Sequence, residues 1–138
     1  MDITLRTEDA PPIRTVDEAR DRVAELIGPA LHRQLWLMML DANGDQLPVL
    51  IPVLIPVDGI PLRPEPGSSA PVAAAITELL TIQAPGGSVI LTLERPGSAA
   101  LTAPDQAWAL ELDASFGKLM RITGMFVAHD DGVCELSA

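Results

Sequence analysis

Between Ser88 and Ala109 the chain reads SVILTLERPGSAALTAPDQAWA: a β-branched run, a turn built on Pro96 and Gly97, then Thr102-Ala-Pro-Asp105 opening a helix. A strand that hands over to a helix through so short a loop confines the fold to classes in which helices pack on a sheet. Such a junction also suits ligands, because the loop is held between two rigid elements and the helix N-terminus favours anions.

The remaining elements fall around this unit. Residues 1–14 read as a flexible N-terminal arm ending at Pro11 and Pro12, and residues 15–138 as one domain. Thr15 and Glu18 have capping-box spacing, and Val16, Ala19, Val23, Leu26 and Ile27 recur on one helical face, so a helix is expected up to Gly28-Pro29. Leu35 to Leu40 is an apolar run of strand length that enters the turn Asp41-Ala-Asn-Gly-Asp45. Its hairpin partner, Leu47 to Val57, carries Pro48, Pro52 and Pro56 at every fourth position. Each proline lacks an N–H, a loss that an edge strand tolerates.

A proline- and glycine-rich loop over 58–69 leads to a helix from Pro71 to about Ala84, which Pro85-Gly-Gly87 ends. The strand Val89 to Leu93 follows, then a helix from Pro104 through Trp108, Leu112 and Phe116. Two strands, about 121–128 and 133–136, flank His129-Asp-Asp-Gly132 as a hairpin turn. The order αββαβαββ predicts a mixed α/β (α+β) fold, and no glycine-rich phosphate loop is present to suggest a nucleotide-binding sheet.

Composition narrows the function classes. A chain of 138 residues is one domain by size. Its longest apolar stretch, 47–57, is interrupted by prolines and falls far short of the ~20 residues that a spanning helix needs. No membrane association is therefore expected, and the acidic start of the chain is neither a signal nor a transit peptide, which places the protein in the cytoplasm. Nineteen acidic against nine basic residues give a net charge of −10, the wrong sign for gripping a phosphate backbone, so no nucleic-acid partner is expected. Trp36, Trp108, Phe116 and Phe126 sit in apolar-periodic segments and read as core. Cys134 is the single cysteine, so neither a disulfide nor a zinc-ligand spacing is available.

Four features together resemble the RadC-type branch of the JAB/MPN domains: the order of elements, Leu35-Trp-Leu-Met-Met-Leu-Asp41 before a turn, Val89-Ile-Leu before a loop with Pro96-Gly97, and the closing Gly124-Met-Phe-Val-Ala-His-Asp-Asp-Gly132. The resemblance covers about residues 30–138. It implies a mixed, mostly antiparallel curved sheet flanked by helices, with layering like that of cytidine deaminases. Active members of that family hydrolyse isopeptide or peptide bonds. Their zinc is held by an HxH pair at the end of the central strand and by the aspartate of an SxxD sequence, while a glutamate on an earlier strand works on the zinc-bound water.

Carried onto this chain, the histidine positions fall on Leu93 and Arg95, the glutamate falls near Arg33, and Thr102-Ala-Pro-Asp105 keeps an SxxD-like spacing. Leucine has no donor atom and arginine stays protonated, so no metal and no cofactor are expected. Thr102 with Asp105 also reads as an ordinary helix cap.

Three functions are compatible with these residues. The first is a catalytically inactive JAB/MPN-like module for protein interaction or scaffolding. The second is a zinc-dependent hydrolase with an atypical site of Glu94, Asp105 and His32, and the third is a domain that binds small anions through Arg33 and Arg95. The alternating apolar residues Val49, Ile51, Val53 and Ile55 on the expected edge strand predict a homodimer or a bound protein partner. Two arginines brought to one vacated site need an acid between them, which predicts a salt bridge from Arg95 or Arg33 to Asp105.

Overall fold

The computed structural model describes residues 11–53 and 60–137, with the backbone alone over 48–53. Eight elements follow one another: α1 (Val16–Ile27), β1 (Gln34–Leu40), β2 (Gln46–Val53), α2 (Ala70–Gln83), β3 (Ser88–Glu94), α3 (Ala103–Phe116), β4 (Arg121–His129) and β5 (Gly132–Glu135). This is the expected order. The strands form one mixed five-stranded sheet, ordered β2-β1-β3-β4-β5, in which only β3 and β4 run parallel.

β3 lies at the centre and is buried at all seven positions, as a strand covered on both faces must be, its apolar Val89, Ile90, Leu91 and Leu93 accompanied by the buried polar Ser88, Thr92 and Glu94. Its alternate side chains divide the core. Leu35, Leu37, Met39, Val89, Leu91, Leu93, Met125 and Val127 face α2 and α3, which contribute Ala73, Ile76, Leu80, Trp108, Leu112 and Phe116. Met38, Leu40, Ile90 and Phe126 point the other way, onto Ala19 and Val23 of α1. The sheet is thus the middle of three layers.

Local chemistry sets the ends of the helices. Thr15 and Glu18 close a reciprocal capping box on α1, and Thr102 and Asp105 close one on α3. β2 stands at a sheet edge, where prolines are tolerated. Pro52 pairs with Trp36, and Pro48 falls within the irregularity between the pairs Met38↔Leu50 and Leu40↔Gln46. The side chains of Val49, Ile51 and Val53 and the whole of Ile55 lie outside the described residues. No helix among the described residues is long and apolar enough to cross a membrane.

Two expectations are corrected. Residues 11–14, read as part of a flexible arm, are docked: Ile13 is buried and its N–H donates to the carbonyl of Gly44 at 2.7 Å. Gly44 permits this with a φ of 87°, and a side chain there would collide with the Ile13 backbone. The arginine at position 22 reinforces the contact from α1, donating to Pro11 O at 2.5 Å and to Gln46 Oε1 at 2.8 Å. Trp36, read as core, is only half-buried, because its indole N–H turns to a carboxylate at the end of β3. Trp108, Phe116 and Phe126 are fully buried.

Candidate functional site

The last residue of β3 and the one after it carry opposite charges and, by strand alternation, leave on opposite faces of the sheet. Glu94 is 3% exposed. Its Oε2 accepts from the N–H groups of Leu31 at 2.7 Å and His32 at 3.0 Å, and its Oε1 from Gln34 Nε2 at 2.8 Å and Trp36 Nε1 at 2.7 Å. Four donors use the acceptor capacity of a carboxylate. Burial pushes the carboxyl pKa up, yet the four hydrogen bonds outweigh burial and hold Glu94 below the usual carboxylate range. Its charge fixes the segment that enters β1.

Arg95 continues on the α3 side. Its Nε and Nη2 fork onto Asp105, with Nη2–Oδ2 at 2.8 Å and Nε–Oδ1 at 3.1 Å, and the two side chains are 5% and 0% exposed. The rest of the guanidinium donates to Ser98 O at 2.6 Å and Ala100 O at 3.0 Å. Asp105 also accepts from the N–H of Thr102 at 2.9 Å, so one carboxylate caps α3 and binds the arginine. Burial raises the Asp105 pKa, but the Arg95 and Thr102 hydrogen bonds and the Arg95 charge bring it below the usual range. The expected tie between strand and helix is present, made by Arg95 and not by Arg33.

Arg33 takes a different place. Its Nη2 donates to Leu62 O at 2.8 Å, while the Ile60 N–H returns to the Arg33 carbonyl at 3.2 Å. Partial burial pulls its pKa down, Asp105 raises it and Arg95 lowers it, the signature of a guanidinium close to an ion pair in which it is not a member. Trp108 holds the same loop from α3, with its indole N–H 3.2 Å from both Pro61 O and Leu62 O.

A third buried carboxylate escapes the sequence reading. Glu111 of α3 accepts from the N–H of Gly67 at 2.9 Å and from the N–H and hydroxyl of Ser69, the residue that precedes α2, and Ser115 Oγ lies 3.1 Å away. Burial raises its pKa, and the bonds from Ser69, Gly67 and Ser115 lower it further than burial raises it. The available signal was an acidic residue between Trp108 and Leu112 on the buried stripe of a helix.

The residues of an atypical metal site are not brought together. Glu94 and Asp105 are on opposite faces of the sheet, Glu94 holding four protein donors and Asp105 committed to Arg95 and the Thr102 N–H, while His32 meets Glu94 through its backbone N–H. Leu93 is wholly buried in the core. His129 is buried in β4, where its Nδ1 accepts the Asp131 N–H of the closing turn at 3.2 Å. Among the described residues, no group of three His, Cys, Asp or Glu side chains is placed to hold a metal ion. The Arg95 guanidinium is likewise committed to internal acceptors, and that of Arg33 gives its Nε and Nη2 to Pro61 O and Leu62 O.

These charges hold loops in place. The Glu94, Arg33 and Arg95 side chains pin three loops at the end of β3, and each loop bears an exposed leucine: Leu31 at 75%, Leu62 at 60% and Leu101 at 41%. Compared with protein-family models, curated proteins and solved structures, the chain matches none.

Proposed function

We propose that the chain is a non-catalytic, RadC-like JAB/MPN module, a pseudo-metallohydrolase that binds another protein or a second copy of itself. The observation that carries this reading is the sealed Arg95–Asp105 pair. It occupies the strand–helix junction at which the resemblance puts metal ligands, and it leaves Asp105 without a free oxygen for a cation. An uncompensated acid there would attract a metal, whereas a bidentate arginine already supplies the countercharge.

The binding role rests on what the sealed network supports. Loops tipped by exposed leucines cost solvation, and exposed apolar groups gathered on rigid supports are a feature of interaction surfaces. The proline-punctuated edge of β2 offers a second surface, through which a copy of the chain would pair.

Metal analysis of untagged protein after exposure to zinc and dialysis tests the non-catalytic half. Far less than one zinc per chain is expected. Stoichiometric zinc, with isopeptide hydrolysis lost in Asp105→Asn, would overturn it. Light scattering tests self-association: wild-type protein should exceed the monomer mass and Val53→Lys should fall towards it, while equal masses for two folded proteins would remove the β2 edge from the proposal.

A further inference from the structure

At the opposite end of the sheet a cleft of about 500 Å³ lies between the docked segment before α1, the β1–β2 turn and the start of β4. Its volume falls within the ~300–1,000 Å³ of ordinary small-ligand sites. Ile13, Val16 and Ile122 supply an apolar lining, and Arg14, Arg121 and Asn43 supply the polar groups.

The arginines distinguish this cleft from the rest of the surface. The side chain of Arg20 pairs with Asp17, Arg22 with Gln46 and Pro11, Arg33 with Leu62, and Arg95 with Asp105. Among the described residues, Arg14, Arg63 and Arg121 are the arginines whose side chains make no hydrogen bond or ion pair with another described residue. Two of these three line one cleft, and no acidic residue lines it with them. In a chain of net charge −10 the two arginines give this recess a local basic character, with Glu18 bonded to the Arg14 backbone N–H at 3.0 Å and Asp41 and Asp45 at the ends of the turn as the nearby acids.

We infer that this cleft binds a small oxyanion bearing an apolar group, with Arg14 and Arg121 taking the anion and Ile13, Val16 and Ile122 the apolar body. Guanidinium groups donate in a fork matched to carboxylate and phosphate oxygens, so both anions share the recognition chemistry. The inference is independent of the function proposed for the other end of the sheet.

Titration of the full chain with phenyl phosphate, benzoate, inorganic phosphate and uncharged benzamide, followed by amide chemical shifts and calorimetry, tests it. Phenyl phosphate or benzoate should bind saturably and shift the amides of 43–44 and 121–123, and the stronger of the two identifies the preferred anion. Affinity should fall about tenfold or more in both Arg14→Gln and Arg121→Gln, persist in Arg63→Gln, and weaken as salt is added. Both cleft arginines are exposed, so these variants keep the fold. Absence of saturable binding by either aromatic anion, equal affinity in the glutamine variants, or benzamide binding as tightly as benzoate would overturn the inference. Inorganic phosphate binding as tightly as phenyl phosphate would overturn the role of the apolar lining.

Discussion

The two ends of the sheet use the same residue type for opposite purposes. Where β3 runs out, Arg95 is buried and each of its three guanidinium nitrogens donates to a carboxylate or a carbonyl. Where β4 begins, Arg121 is exposed beside a cleft, with no described side-chain partner. The difference is one of desolvation. A buried charge requires local compensation and becomes part of the scaffold, whereas an exposed one keeps its hydration and remains free to exchange water for a ligand. Perturbing the first end should therefore cost stability, and perturbing the second should cost binding alone.

The largest effect is expected from Arg95→Leu, which strands Asp105 as a fully buried carboxylate. Loss of one partner of a buried pair typically costs about 3–5 kcal/mol, readable in urea unfolding. A loss within ~0.5 kcal/mol would place Arg95 in the same class as a surface charge. Glu94→Gln should come next. An amide oxygen cannot accept all four bonds and its NH₂ faces donors, so a cost of about 1–3 kcal/mol is expected, with faster amide exchange at Leu31 and His32.

Acid should weaken the buried carboxylates of the first end, and the exposed Glu18 that caps α1 is also held below the usual carboxylate range by the Arg14 and Thr15 N–H groups. Glu94, Asp105 and Glu111 are all held below the usual carboxylate range in the folded chain, so the unfolded chain binds protons first as pH falls. Their contribution is complete above the ordinary carboxylate values near 4 and is lost as pH drops through the lower folded values. The urea midpoint should decline steeply below about pH 4. A flat profile there would show that the three carboxylates are no better stabilised folded than unfolded. The smallest effect is expected at the other end: Arg14→Gln and Arg121→Gln should change stability by less than ~0.5 kcal/mol.

How much of this was legible in the sequence depended on sequence separation. The eight elements were readable because apolar periodicity and turn residues are local, and the Arg95–Asp105 tie was readable because its two residues flank one loop. Glu94 as an anchor was not, since two of its donors are backbone N–H groups at Leu31 and His32, which no side-chain pattern records. Glu111 was hidden for the same reason, its partners lying in the loop before α2. Trp36 followed the apolar pattern yet took a half-buried position because its N–H had a carboxylate to meet. The pairing of Arg14 with Arg121 across one cleft is a product of topology alone.

The central claim is that Arg95 and Asp105 form one structural unit at the end of β3. A double-mutant cycle of Arg95→Met, Asp105→Leu and the combined variant, read by urea unfolding, tests it most directly. Replacing both charges removes the uncompensated one, so the double variant should be less destabilised than the sum of the singles by at least ~1 kcal/mol. Additivity to within about 0.3–0.5 kcal/mol would contradict the claim, because residues acting independently behave in that way.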